Sequence, residues 1–514
     1  MPSFNNFARG NNRYQPYGRG GSTRGGATGS TRFSMDVNHK YEENPVFTDL
    51  KEFKKNFYKE SEADKLTSAE VQKFRVEHGM TLTGQNIPNP LLSFENNQFP
   101  QVINSIFKSN GFDKPTPIQS QGWPMALSGR NVIGIAQTGS GKTLSFILPA
   151  LIHIMGQPEV VKGMGPSVLV MAPTRELACQ IQQVAAEYGK VLGIRNSCLY
   201  GGAPKGKQIF ELNRSPQIVI ATPGRLLDLT QMGKTSLKNV TYLVLDEADR
   251  MLDMGFEKDL RKILAQIRPD RQMLMWSATW PKVVQKLARD FLGADNIKVQ
   301  IGSINLKANN KIKQSVQVMD DSDKSEALGK LLVQIWDGIP GDEATKQMER
   351  TIIFVNKKYV CENIANGLWE NSWNCATIHG DKTQQERDYA LAEFKSGSCP
   401  ILVATDVAAR GLDVADLRHV INYDFPNGVE DFVHRIGRTC RGGDDNGNAY
   451  TFMTRNKQDR ANAADLVNLM KDAGQEVPAE LQSLIQQKRS TSSKWGRGGF
   501  GNRGRGGSRG YGRR

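Results

Sequence analysis

Val132-Ile133-Gly134-Ile135-Ala136-Gln137-Thr138-Gly139-Ser140-Gly141-Lys142-Thr143 runs from a short apolar segment through a glycine-rich turn into a helical pattern. Strand, loop and helix in that order are the context a phosphate-cradling loop requires. Glycines let backbone N–H groups approach phosphate oxygens, the Lys142 ammonium neutralises charge, and the Thr143 hydroxyl suits Mg²⁺. Ala136 stands where the strict G-x-x-x-x-G-K-T pattern has its first glycine, so the loop is a variant. Alone it indicates nucleotide binding and nothing finer.

On either side, short apolar runs recur between helical patterns: Val168–Ala172, Ile218–Ala221, Tyr242–Leu245 and Met273–Trp276. Continuous apolar runs of this length predict parallel strands buried on both faces, with helices covering the sheet. A second series, Thr351–Val355, Ile401–Ala404, Val420–Tyr423 and Tyr450–Met453, predicts a second α/β domain of similar size. Residues 94–302 and 326–487 are therefore read as the two domains, with a polar linker over 303–325 and a partly helical flanking segment over 41–93.

The ends differ in kind. Residues 1–40 carry six Lys/Arg against one Asp, and residues 488–514 carry nine Lys/Arg and no acid. Those excesses, +5 and +9, account for the whole net charge of +14 and leave the body neutral. Both ends alternate Gly, Arg and Ser with isolated aromatics, as in Arg497-Gly498-Gly499-Phe500, and lack the apolar density to offset ordering entropy. They are expected to be disordered and to touch RNA weakly, through arginine charge and aromatic stacking.

The six cysteines show no C-x-x-C spacing and the six histidines no ligand cluster, which points to a reduced intracellular protein without zinc. No apolar stretch reaches membrane-spanning length, so no membrane partner is expected.

Two further segments carry chemistry. Asp246-Glu247-Ala248-Asp249 follows the buried run Tyr242–Leu245, placing acids at a strand's C-terminal end. There Asp246 can hold Mg²⁺ through water, and Glu247 can orient and deprotonate an attacking water. His434-Arg435-Ile436-Gly437-Arg438-Thr439-Cys440-Arg441 concentrates three arginines in eight residues. Arg438 and Arg441 are three apart, and on one helical face both could point at a γ-phosphate held by the other domain. Asn456-Lys457-Gln458-Asp459 matches the N-K-x-D guanine string of GTPases, but a polar helix start is the better account of it.

With these motifs in order, residues 90–480 resemble a DEAD-box RNA helicase. The resemblance implies two tandem RecA-like parallel-sheet domains, flanked here by disordered Arg/Gly-rich tails, and an RNA-stimulated ATPase using ATP and Mg²⁺. Phe94 and the segment Gly111–Gln119 resemble the adenine-reading Q motif, so Phe94, Phe112 and Gln119 are expected at the nucleotide with Ala136, Gln137, Thr138, Gly139, Ser140, Gly141, Lys142 and Thr143. The Gln119 amide could pair with adenine's N6/N7 edge while Phe112 packs nearby. Lys142, Asp246, Glu247, Arg438 and Arg441 are the implied catalytic set, the two arginines as fingers, with Thr143 and Asp246 on the metal and Asp413 on the ribose. Ser277, Thr279, Asp249 and His434 resemble the coupling elements. Thr174, Arg175, Gly202, Thr222, Gly224 and Arg225 in the first domain, and Arg387, Thr405 and Gly411 in the second, resemble the RNA contacts. Cys440 stands where many family members have Gly or Ala, and being small it should be inert.

Gln121–Pro124, Arg250–Phe256 and Met275–Pro281 resemble a nuclear, largely fungal and animal branch associated with ribosome biogenesis and mRNA surveillance. The expectation is therefore a monomer in nucleus and cytoplasm acting on RNA and RNA–protein complexes, with no small-molecule substrate besides ATP. An ATP-gated RNA clamp with little unwinding has the same motifs. A small-molecule kinase or GTPase would have no use for the second domain's arginines or the basic tails.

Overall fold

The computed structural model describes residues 39, 41–48, 50–59, 65–159, 161, 163–302, 311–342, 346–406, 414, 416–440 and 447–492, with Asn96 and 486–492 described by backbone alone. Among these residues the chain builds two sheets. The first contains β1 (Met80–Thr83), β2 (Asn131–Ile135), β3 (Val168–Met171), β4 (Asn196–Leu199), β5 (Ile218–Ala221), β6 (Tyr242–Leu245), β7 (Gln272–Ser277) and β8 (Asn296–Ile301), in the order β1-β8-β2-β7-β6-β3-β5-β4. The second contains β9 (Ile312–Val318), β10 (Arg350–Val355), β11 (Cys375–Ile378), β12 (Ile401–Thr405), β13 (Leu417–Asn422) and β14 (Gly447–Met453), in the order β11-β12-β10-β13-β14-β9. Every described pairing is parallel except β1 with β8.

Every residue of β3, β5, β6 and β7 is buried, because helices cover both faces of the sheet. One layer gathers Phe146, Tyr242 and Trp276, and the opposite layer Leu243, Leu260 and Met273. The topology also sets the site. β7 lies between β2 and β6, so the loop after β2 and the acids after β6 emerge at one edge with a single strand between them. Gly134 in β2 faces the Trp276 ring of β7; a Cβ built there would lie 2.2 Å from ring carbons. Gly134→Ala is therefore expected to destabilise the fold by at least the roughly 1–3 kcal/mol typical of overpacking, read as a lowered denaturant midpoint with unchanged slope.

Three expectations change. The linker predicted over 303–325 contains β9, which pairs with β14 along its whole length from Gly447↔Ile312 to Met453↔Val318. Its polar look comes from an edge strand showing one face to the core: Ile312, Gln314 and Val316 are buried and the residues between them exposed. The flank 41–93 belongs to the first domain's body. β1 pairs with β8, the Phe57 and Tyr58 amides donate to Leu127 O, and the Arg268 guanidinium lies 4.7 Å from the Phe53 ring. The boundary predicted at 487 falls within the helix Ala479–Ser492, which anchors through Leu481 and Leu484. Apart from His39, whose amide donates to Gly233 O (2.7 Å), the rest of the tails lies outside the described residues.

Candidate nucleotide and RNA site

The loop after β2 closes on itself. Lys142 begins the helix Lys142–Met155 and its Nζ donates to the carbonyls of Ala136 (2.7 Å) and Gln137 (2.8 Å). Gly141 has φ 92°, and a Cβ there would meet Gln119 Nε2 at 2.5 Å and Thr116 Oγ1 at 2.9 Å. Only glycine suits such backbone and such crowding. Thr143, on the first helical turn, stays partly exposed.

Asp246 and Glu247 leave the end of β6 almost fully buried, at 3% and 7% exposure. Burial pushes the Asp246 carboxyl up to about 7, the Lys142 ammonium pulls it back, and the Glu247 and Asp249 carboxylates add to the rise. A buried carboxylate opposed by two acids and facing a lysine fits a divalent cation, which Asp246 and Thr143 would hold. Such a cation would neutralise developing phosphate charge. Glu247 has φ 51°, a left-handed conformation costly for a non-glycine residue and concentrated at functional sites.

Around the Q-motif segment, two side chains expected at the nucleotide have partners within the protein. Gln119 is buried, and its amide bridges helix and loop: Nε2 donates to Gly141 O (3.1 Å) and Oε1 accepts from Thr116 N (3.0 Å). Its observed work is to hold the phosphate loop, reinforced by Thr116 Oγ1 donating to Ser140 O (2.8 Å). Phe94 stacks on Phe107 with centroids 4.3 Å apart and packs toward Trp123, which seats the segment. Phe112, 42% exposed, keeps a free aromatic surface.

The two domains face each other across the C-terminal ends of their strands. A Cβ built on Gly437 would lie 3.3 Å from Thr138 Oγ1, so the Arg438 segment touches the phosphate loop directly. The helix Val429–Ile436 ends at Gly437, and Arg438 sits in the following turn, its amide donating to Arg435 O (3.1 Å). The shared helical face expected for Arg438 and Arg441 is thus not what presents Arg438; Arg441, Asp413 and Gly411 lie outside the described residues. Cys440, with φ 55°, accepts a hydrogen bond from Gly447 N (3.1 Å) and so helps hold the turn.

Asp249 gathers the coupling residues. Its Oδ2 accepts from Thr279 N (3.0 Å) and Oγ1 (2.7 Å), and His434 Nε2 lies 3.8 Å away from the other domain. Burial opposes ionisation of Asp249, but the nearby His434, the hydrogen bonds from Thr279 and the Arg250 charge outweigh it and hold the carboxyl below its ordinary range. Burial and the Arg250 charge pull His434 downward. Ser277 is fully buried and its hydroxyl has no hydrogen-bond partner.

The pattern of motifs did not reveal two further elements. Arg250, 3% exposed, forms an ion pair with Asp431 of the second domain and reaches Asp253 Oδ2 at 3.2 Å. Arg435 clasps Asp406 with two bonds of 2.6 Å, donates to Asp424 O and Asn356 Oδ1, and stacks over Phe354. Both sit within the quoted motifs, but only their burial distinguishes them from surface arginines.

On the RNA side, Thr174 caps the helix Arg175–Lys190. Arg175 lies over the Tyr200 ring at 4.5 Å and pairs with Asp388 of the second domain at 2.8 Å. Gly202 approaches Gln384 Oε1, Gly224 is open to solvent, and Thr222 stands at the N-terminal boundary of the helix Pro223–Gln231 without a side-chain capping bond. Arg225 donates to Gln208 Oε1 and Ala203 O, which fixes the backbone of that edge. In the second domain Arg387 Nε donates to Lys382 O, and Thr405 ends β12. Asn456 caps the helix Lys457–Asp472 by accepting from Asp459 N, so the guanine-like string is a helix start.

The comparisons agree with this geometry. Residues 116–287 match the DEAD/DEAH box helicase family and residues 323–443 the helicase conserved C-terminal domain. The chain is 51% identical over 463 residues to the ATP-dependent RNA helicase DBP2 of Saccharomyces cerevisiae, covering 88% of this chain and 82% of that one. It is 52% identical over 460 residues to the ATP-dependent RNA helicase DBP2 of Chaetomium thermophilum, covering 89% and 80%. Among solved structures, S. cerevisiae Dbp5 bound to RNA and ADP BeF3 superposes with a TM-score of 0.62 at 27% identity, covering 77% of this chain and 97% of that one. With a phosphate loop, a DEAD carboxylate pair and an arginine turn meeting across two parallel sheets, the chain belongs to the DEAD-box ATP-dependent RNA helicases, which are ATP-hydrolysing enzymes.

Proposed function

We propose that the protein uses Mg²⁺-bound ATP to separate short RNA duplexes locally, without reading sequence, and to remodel RNA–protein complexes as a monomer. The observation that carries this reading is the contact of Thr138 in the phosphate loop with Gly437 beside Arg438. It brings both halves of an ATP site together across the same cleft whose opposite rim carries Thr174, Arg175 and Gly202. Lys142 neutralises phosphate charge, Glu247 takes the proton of the attacking water, and Arg438 stabilises charge as the γ-phosphoryl leaves. RNA and ATP each touch both domains, so each favours the closed arrangement and strengthens the other's binding. Backbone amides and helix starts on the RNA rim favour phosphate and 2′-hydroxyl contacts over base edges.

Ribosome biogenesis and nonsense-mediated mRNA decay are the proposed processes, with residence in nucleus and cytoplasm; this rests on the resemblance of residues 121–124, 250–256 and 275–281 to that branch. Strand displacement on tailed and blunt duplexes tests the activity. Unwinding of both supports local strand separation, whereas ATP-dependent retention without displacement would support the clamp instead.

The tails are proposed to add sequence-tolerant affinity. Deleting 493–514 spares the helix Ala479–Ser492 and removes seven of the nine cations counted over 488–514. RNA affinity should fall and its dependence on log salt should flatten, since fewer counterions are released. An unchanged salt slope would assign binding wholly to the body.

A further inference from the structure

We infer that Phe53 and Phe57 are positioning residues for ATP, and that the strap over residues 50–59 ties together, from behind, the two helices whose front ends build the phosphate loop. One is the helix Pro117–Leu127, whose Gln119 and capping Thr116 hold Gly141 and Ser140. The other is the helix Lys142–Met155, which opens on the loop lysine. The strap grips the far end of each. The Phe57 and Tyr58 amides both donate to Leu127 O, at 2.7 and 3.0 Å. The rings of Phe53 and Phe57 meet the His153 imidazole edge-on, with centroids 5.9 and 5.8 Å away. Gln157 Nε2, just past the same helix, donates to Lys54 O (2.7 Å).

The same segment reaches the rear ends of the two strands that carry the acids and Ser277. His153 Nε2 and Thr241 Oγ1 share a hydrogen bond of 2.8 Å immediately before β6, whose front end leads into Asp246 and Glu247. Arg268, ahead of β7, donates to Lys51 O (2.7 Å) and lies 4.7 Å from the Phe53 ring. The body is shaped to receive the strap. A Cβ built on Gly129 would lie 2.7 Å from the Lys55 carbonyl carbon, and one built on Gly156 would lie 2.0 Å from the Phe57 ring.

The helix Lys142–Met155 has 14 residues, so at about 1.5 Å per residue the strap acts from about 20 Å behind the loop. Close-packed interiors resist compression and pass a displacement along rigid elements. With the strap seated, the two helices keep one relative position and the loop amides stay aimed at phosphate oxygens. With it unseated, each helix end loses apolar contact and Leu127 O loses two donors. Misplacing binding groups by even a fraction of their hydrogen-bond length weakens what they hold. The tie rests on the reading of residues 136–143 as the phosphate loop that binds ATP.

The test measures Kd for ATP and the number of sites by equilibrium titration, and RNA affinity without nucleotide, on the full chain and two variants of it. F53A/F57A removes the rings. G156A leaves the strap sequence intact but drives the Phe57 ring from its seat, at a backbone φ of −90° that alanine accepts. Each should raise Kd for ATP by about fivefold or more, the low end of coupling between sites, while RNA affinity without nucleotide stays as in the intact chain. An unchanged Kd in either variant would overturn the tie even where fewer sites titrate, because loss of folded protein lowers the number of sites and leaves Kd alone. A fall in RNA affinity alongside ATP affinity would mark general loosening of the domain and also overturn it. Lys142→Ala separates the two readings. A weakened Kd there with an unchanged Kd in the strap variants overturns the tie alone, whereas an unchanged Kd in Lys142→Ala overturns the loop reading and the tie with it.

Discussion

Replacing Glu247 by Gln should lower RNA-stimulated ATP hydrolysis by roughly 10²–10⁴-fold, the range for losing a positioned general base, while ATP-dependent retention of RNA persists. The side chain is 7% exposed at the end of β6, beside Asp246 and across from Lys142. Gln matches Glu in shape but cannot take a proton from water. Phosphate binding by the loop and the contact of Thr138 with Gly437 are untouched, so closure should survive the loss of chemistry. Single-turnover hydrolysis and filter retention on the same preparation separate the two. A variant that hydrolyses normally, or one that loses ATP-dependent RNA retention along with its turnover, contradicts the assigned role.

The second large effect is expected at the ion pair between Arg250 and Asp431. Arg250 is nearly fully buried, and removing one partner of a buried pair typically costs about 3–5 kcal/mol, a ceiling here because Asp253 stays 3.2 Å from Arg250. That cost falls on the closed arrangement, since with the domains apart both groups regain water. Asp431→Ala should therefore weaken RNA binding in the presence of an ATP analogue and slow RNA-stimulated turnover, while RNA affinity without nucleotide changes little. The swap Arg250→Asp with Asp431→Arg should recover part of the loss. A double variant no better than either single one would show that the pair does not carry the coupling.

Legibility in the sequence followed the physics of burial. Strands β2, β3, β5, β6 and β7 lie inside the first sheet, and their apolar runs showed at once. β1, β4, β9 and β11 lie at sheet edges. There one face meets the core or the strand is short, as in Asn196–Leu199, and the composition reads as loop. The phosphate loop and the DEAD acids were legible because their chemistry is local. That Gln119 also caps its helix and ties down Gly141 was not legible, because residue type alone does not reveal which hydrogen bonds a buried amide makes. Arg250–Asp431 and Arg175–Asp388 were hidden for a different reason: their partners are 181 and 213 residues apart, and only the docking of one domain on the other brings them together.

The most direct trial of joint closure by fuel and strand is the rate of ATP hydrolysis by the intact chain with and without single-stranded RNA. The account predicts a marked rise on adding RNA, together with tighter ATP binding. A rate indifferent to RNA would contradict it.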